Sequence, residues 1–241
     1  MSRVVLVTGS SRGIGLGIAK SFAALGDTVI LTGREDIEAL TQSVAELKRM
    51  GGNADGFIAD LSDYGKAAEM FSDIKARYGP VQVLVNNAGA AHYGLFSDMK
   101  LSDMQSVMAN NFNTAVNASH LAVPDMVRAK SGCIINITSV WGIAGASCEV
   151  MYSAAKAAVN GFTKALAREL GPSGVRVNAI ACGVFDTRMN ARLTSEEKNA
   201  FAEDIPLGRF GHPREAGDLA VYIAGAKYMT GQVIPLDGGL V

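Results

Sequence analysis

The sequence predicts a doubly wound α/β sheet in one domain spanning residues 1–241, and three observations predict it. Seven short runs (VVLVT, TVILT, GFIAD, VQVLVN, CIINIT, VRVNAIA and GQVIPL) are apolar throughout instead of alternating, the pattern of strands covered on both faces. Segments of helical period separate most of them, at 14–25, 37–50, 65–78, 101–129, 151–170 and 214–224. A glycine-rich turn, TGSSRGIG, joins the first run to the first helical segment. Such alternation calls for a parallel sheet, because each parallel return needs a crossover, usually a helix.

Bulk properties narrow the function classes. At 241 residues, with 49% apolar side chains and a mean hydropathy of +0.19, the chain can bury a substantial core and is not disordered. No linker, repeat or low-complexity stretch divides it. A net charge of −1 and an isoelectric point near 6.3 argue against a nucleic-acid partner. Cys133, Cys148 and Cys182 are odd in number and form no CxxC pair, which fits reduced thiols of the cytoplasm. Cys148 has no evident base partner, so no nucleophilic role is expected of it. The opening MSRVVLVTG runs into a strand without an apolar leader, and no run is long enough to suggest a membrane span. His92, His120 and His212 are scattered without ligand spacing, so no metal site is expected.

The first turn is read as a phosphate cradle. Gly9, Ser11, Arg12, Gly13, Ile14 and Gly15 stand between a strand and a helix, where glycines allow close backbone approach and the helix N-terminus favours a pyrophosphate. Their spacing is TGxxxGxG, not GxGxxG. The second strand ends LTGRED, with Gly33 where an acid would bond the ribose of NAD and Arg34 directly after it. Arg34 and Arg12 favour the 2′-phosphate of NADP(H); Glu35 and Asp36 are the residues that argue for NAD.

The chemical end is the stretch ITSVWGIAGASCEVMYSAAK. Tyr152 and Lys156 at i, i+4 share a helix face, and a nearby ammonium is expected to lower the phenol's pKa. Ser139, at the carboxyl end of CIINIT, is placed to polarise a substrate carbonyl by hydrogen bonding. The polar segment 186–212 interrupts the alternation and is expected to form short helices over the substrate. Trp141, His92, Glu149 and Met189 are candidate substrate contacts, with Tyr93 a further aromatic; Glu149 is alternatively an acid at the start of its helix.

Together TGSSRGIG, NNAG at 86–89, Ser139 and YSAAK resemble the short-chain dehydrogenases/reductases over essentially the whole chain. The resemblance implies a single-domain Rossmann fold, a seven-stranded sheet ordered 3-2-1-4-5-6-7, and an NADP-dependent oxidoreductase of carbonyl and alcohol groups. It implies a Ser139–Tyr152–Lys156 centre, Lys156 also holding the nicotinamide ribose. Asn111 in ANNFNTA matches the position that supports a proton-relay water, with Asn110 its neighbour. Asp60 and Leu61 fall beside the adenine, and Asn87, Ala88 and Gly89 on the cofactor floor. Gly183, Val184 and Thr187 match the loop by the nicotinamide amide, where Cys182 replaces a usual proline and puts the loop's rigidity in question. A homotetramer is implied, built on the long helices and the last strand.

Within the family, SSRGIG, LVNNAG, YSAAKAAVNGFTKALAREL and TGQVIPLDGG resemble the bacterial 3-oxoacyl-[acyl-carrier-protein] reductases of fatty acid synthesis. SVWGIAGASCEVMYSAAK and NAIACGVFDTRMN are similar to reductases of a 5-aminopentanone group on elongation factor P. Carrier-protein docking wants basic residues beside the entrance; Lys130 stands in one such place, and Ser173 where the fatty-acid reductases often have arginine. A reading of another class is an inactive NADP-binding regulator, against which all four catalytic positions are intact.

Overall fold

Seven strands form one parallel sheet in the order β3-β2-β1-β4-β5-β6-β7. They are β1 Val4–Val7, β2 Thr28–Gly33, β3 Asn53–Ile58, β4 Val83–Asn86, β5 Gly132–Ser139, β6 Val175–Cys182 and β7 Val233–Leu236. The structure, a computed structural model, describes residues 2–190 and 194–241 without the side chain of Met189. The helices are α1 Gly13–Ala23, α2 Ile37–Arg49, α3 Tyr64–Tyr78, α4 Leu101–Met108, α5 Thr114–Ala129, α6 Trp141–Ala144, α7 Val150–Leu170, α8 Ser195–Glu203 and α9 Pro213–Gly225. Among the described residues, no helix is long and apolar enough to cross a membrane.

The sheet is buried between two apolar layers. On one face α1, α2 and α9 pack Ile18, Phe22, Leu47 and Ile223 against Val5, Val7, Val29 and Ile135. On the other, α3, α5 and α7 pack Ile74, Met126 and Leu170 against Leu6, Ile30, Leu84 and Val177. Alternate residues of one strand thus serve opposite faces, which is why the central strands are apolar at every position. The strand order reverses between β1 and β4, so the loops leaving these strands part and open a crevice at their carboxyl ends.

Two expectations need correction. The third strand is Asn53–Ile58, three residues earlier than the apolar run GFIAD. As an edge strand it tolerates polar side chains, and Asp55 accepts hydrogen bonds from Arg77 (2.6 Å) and Tyr78 (2.5 Å). The other edge, β7, is also only partly buried. The helical segment 101–129 is broken by a π-turn over Ala109–Asn113. Its cause is Asn111, whose side-chain Nδ2 donates to the Val107 carbonyl at 2.9 Å and inserts into the i to i−4 ladder. Within the segment 186–212, a 3₁₀ turn at Arg188–Asn190 and α8 are short helices, as expected. From Ile205, 2% exposed, the chain is fixed to the body, and Phe185 and Gly211 form a bridge beneath it.

Candidate active site

Loops leaving the carboxyl ends of β1, β4, β5 and β6 border one cleft of about 580 Å³. Gly9, Arg12, Gly13, Ile14 and Gly15 line it together with Asn87, Gly89, Gly183, Val184 and Thr187. Ser139, Trp141, Glu149 and Tyr152 line the same cleft. Alongside lies a cavity of about 420 Å³ that takes in Ser11, Arg34, Asp60, Leu61 and Ala88. Every residue expected to hold the cofactor therefore borders one of these two spaces, except Lys156, which is buried beneath. A larger groove of about 1050 Å³ behind α1 shares Arg12, Gly13, Thr187 and Arg188 with the cleft but contains none of the catalytic candidates.

The cradle depends on the absence of side chains. Gly9 has φ +61°, and a Cβ there would lie 2.8 Å from the Ala88 Cα. At Gly15 a Cβ would lie 2.5 Å from Asn87 Nδ2. Asn87 Nδ2 donates to the carbonyls of Thr8 (2.9 Å) and Gly9 (2.8 Å), binding the β4 loop to the turn. Arg12 stands at the N-cap of α1 without a capping bond, and the first turn carries no acid. The helix therefore offers its N-terminal amides and positive dipole end to the cleft, which fits a diphosphate.

Both candidate phosphate-binding arginines border the second cavity. Arg34 Nη1 donates to Asn110 Oδ1 at 3.0 Å, and its Nε pairs with Glu35 at 3.1 Å. Arg12 pairs with Asp36, whose carboxylate also accepts from the Ala39 amide at the start of α2. That amide and Arg12 hold the Asp36 carboxyl below the usual range. The acids that argue for NAD are thus engaged by the arginines, and Asp36 by its own helix. Asn110 had no assigned role in the sequence reading; its approach to Arg34 comes from the π-turn, which no periodicity signals. Burial alone would raise Asp60, but hydrogen bonds from Ser62 outweigh it and the carboxyl is lowered.

Ser139 ends β5, and its Oγ accepts from the Trp141 amide at 3.2 Å. Lys156 Nζ lies 5.5 Å from the centre of the Tyr152 ring and donates to the Ile137 carbonyl at 3.2 Å. α6 fixes the spacing of strand and helix: a Cβ on Gly142 would lie 2.8 Å from the Lys156 carbonyl carbon. Burial raises the Tyr152 pKa, the Glu149 carboxylate adds to this, and a hydrogen bond with Ser139 opposes it. The phenol is therefore raised and not lowered as the sequence suggested, because burial and the Glu149 carboxylate outweigh the hydrogen bond with Ser139. Lys156 is itself pulled down to about 8 by burial.

Asn111 sits below the cleft floor, donating to the Ala90 carbonyl at 2.8 Å and accepting from the Ala90 amide. A Cβ on Gly89 would lie 2.6 Å from Asn111 Oδ1 and 3.3 Å from Lys156 Nζ, so Gly89 separates both from the cleft. Cys182 pairs in register with Ser139, and burial pushes its thiol up to about 12. The loop beyond it is held without proline: Gly183 N donates to Leu236 O at 2.9 Å and Gly211 N to Val184 O at 2.8 Å.

An outer cavity of about 500 Å³ continues from the cleft past Tyr93, Trp141 and Glu149 to Glu197, Phe201 and Asp204. Glu149 stands at the N-cap of α7 but makes no capping bond with its side chain. His92 lines neither space, whereas its neighbours Ala91 and Tyr93 do. Met189's side chain falls outside the described part. Glu197, Phe201 and Asp204 went unnamed in the sequence; the i, i+4 and i+3 spacing on α8 was the available signal. Lys130 and Ser173 do not flank this entrance: each precedes the amino end of a strand, and the eight residues of β5 span about 26 Å. Among the described residues, no group of three or more His, Cys, Asp or Glu side chains could hold a metal ion.

Comparison with known proteins agrees with this geometry. A family model described as short chain dehydrogenase matches residues 3–198. An uncharacterized oxidoreductase of Bacillus subtilis, YmfI, is 38% identical over 242 residues, covering 99% of each chain. The 3-oxoacyl-[acyl-carrier-protein] reductase FabG of Aquifex aeolicus is 39% identical over 242 residues, covering 99% of this chain and 97% of the relative. A crystal structure of an actinorhodin polyketide ketoreductase with NADPH superposes with a TM-score of 0.96 at 33% identity, covering 99% of this chain and 97% of the other. The chain belongs to the short-chain dehydrogenase family and is an oxidoreductase of carbonyl or alcohol groups.

Proposed function

We propose that this protein reduces a ketone with NADPH, and that the ketone is a 3-oxoacyl group borne by acyl carrier protein. The observation that carries the reaction class is the convergence of Ser139, Tyr152 and the glycine cradle on one cleft. Similarity along the whole chain to 3-oxoacyl-[acyl-carrier-protein] reductases supports the substrate. The intact Ser139, Tyr152, Lys156 and Asn111 argue against an inactive NADP-binding regulator.

In this reading the cradle and the α1 N-terminus hold the diphosphate, and Arg34 and Arg12 take the 2′-phosphate in exchange for Glu35 and Asp36. Bound NADPH supplies the hydride. Ser139 donates a hydrogen bond to the ketone oxygen, stabilising the negative charge that develops there. Tyr152 donates the proton to that oxygen, a transfer that becomes favourable as negative charge develops there. Lys156 supports the tyrosine from below and holds the ribose, and Asn111 supports the path by which the proton is replaced. For the assembly we take the homotetramer that the family resemblance suggests, built on the long helices and the last strand. Three free cysteines suit a reducing cytoplasm.

One observation favours a second ketone. Glu149, Glu197 and Asp204 all line the outer cavity, a negative wall suited to an ammonium and unfavourable to a pantetheine phosphate. That supports an amine-bearing ketone such as the 5-aminopentanone of elongation factor P. The test is NADPH oxidation with an acetoacetyl thioester and with an amino-ketone of similar length, by the native protein and by Glu149→Gln. The carrier-protein reading predicts preference for the thioester and equal effects of the substitution on both. Preference for the amino-ketone, lost selectively in Glu149→Gln, would replace it with the second reading.

A further inference from the structure

We infer that Asp237 is a positioning residue for the substrate cavity: the turn it builds after β7 ties the segment carrying Asp204 to the loop carrying Gly183 and Val184. The inference rests on the reading of the outer cavity as the substrate's.

The turn is held by one carboxylate. Asp237 Oδ1 accepts from the Gly239 amide at 3.0 Å and Oδ2 from the Val241 amide at 3.1 Å. Between them Gly238 and Gly239 have φ of +71° and +91°, a conformation glycine adopts readily but also leaves readily. Without the two bonds, little in the local sequence would keep the turn closed.

Each side of the turn meets a wall of the site. On one side Gly183 N donates to Leu236 O, and a Cβ on Gly183 would lie 2.6 Å from the Asp237 Cα. Gly183 and Val184 line the central cleft. On the other side Gly238 O accepts from the Leu207 amide at 3.2 Å. A Cβ on Gly238 would lie 2.7 Å from Ile205 Cγ2, and one on Gly239 would lie 3.0 Å from Pro206 Cγ. Ile205 is buried, and Asp204 before it lines the outer cavity with Phe201. The turn is therefore one tie between the α8 wall and the nicotinamide-side loop, beside the backbone bonds that join Gly211 to Val184 and Asp186. The Gly183–Leu236 bond and the β6–β7 register use backbone alone and do not need the carboxylate.

The test compares Asp237→Ala, Asp237→Asn, Ile205→Ala and the Asp237→Ala/Ile205→Ala double variant. Trp141, the chain's single tryptophan, lines the outer cavity and reports on it without any substrate. Asp237→Ala should raise the ketone KM about 5- to 20-fold, with kcat within about 3-fold and the NADPH Kd within about 2-fold. Acrylamide quenching of Trp141 should rise about 2-fold, the same contrast read as exposure. Asp237→Asn keeps one acceptor and should recover most of the loss. Ile205→Ala should reproduce the effect from the other side, and the double variant should be no worse than the more severe single one, because both act through one clamp. Unchanged Trp141 quenching in Asp237→Ala, or multiplicative effects in the double variant, would overturn the inference. If no ketone is turned over, the reaction reading fails while the quenching series still decides the role of Asp237.

Discussion

The nucleotide side and the substrate side of the cleft are built from different materials. On the nucleotide side the fit is made by backbone: Gly9 and Gly15 leave no room for a Cβ, and α1 presents an uncapped N-terminus. On the substrate side it is made by side chains from separate segments, with Trp141 and Glu149 facing Phe201 and Asp204. A backbone cradle restricts residue type at fixed spacing, whatever the cofactor's partner in the reaction. A side-chain wall restricts only what can meet across a gap. Binding of cofactor and choice of ketone should therefore be separable, with Tyr152 and Ser139 at the boundary.

The largest effect should come from the proton donor. Tyr152→Phe keeps the ring and removes the hydroxyl, so turnover should fall about 10³- to 10⁴-fold while the NADPH Kd changes less than about 2-fold. Fluorescence titration of NADPH beside an oxidation assay checks both, and substantial residual turnover would break the assignment. Ser139→Ala should lower kcat about 10²- to 10³-fold, the usual loss for one oxyanion donor. Steady-state kinetics should show kcat and kcat/KM falling together, since the bond strengthens as charge develops.

A smaller effect belongs to Lys156, which serves both sides. Its ammonium is present below about 8 and lost above, so kcat/KM for the ketone should fall about tenfold per pH unit beyond that point. Lys156→Arg stays charged and should remove the break between pH 7 and 10. Stability should move the opposite way. In the unfolded chain the lysine titrates near 10.5, so between about 8 and 9 the unfolded state holds more protons and native stability rises with pH; above 9 the buried Cys182 thiol, held up to about 12 in the native state, acts with the opposite sign and cancels the rise. Denaturant titrations across that window should show the rise in the native protein and lose it in Lys156→Met.

Much of the nucleotide side was legible in the sequence because its constraints are local. The run VVLVT, the turn and the following helix lie within about twenty residues, and glycine is one of few solutions to φ +61°. Buried strands also announce themselves, since both faces must be apolar. Edge strand β3 did not, because Asn53 and Asp55 read as loop when one side meets water. The π-turn was hidden because helical period does not show that the Asn111 side chain turns back onto the Val107 carbonyl of its own helix. The direction of the Tyr152 shift was misread for a related reason: spacing places a lysine near it, but only packing reveals how much water is excluded. Glu197, Phe201 and Asp204 became site residues only when α8 folded over the cleft.

The most direct test of the account is the kcat/KM of the native protein for NADPH and for NADH with one activated ketone. Arg34 beside Gly33, with Glu35 and Asp36 already engaged by arginines, predicts a preference for NADPH of about 10- to 100-fold, the scale of one charge-assisted phosphate contact. Gly33→Asp with Arg34→Ala should invert it; a Cβ at Gly33 lies 3.2 Å from Ile58 Cδ1, so that side chain must give slightly. Equal or better use of NADH by the native protein, or oxidation of neither cofactor by any ketone, would contradict the account.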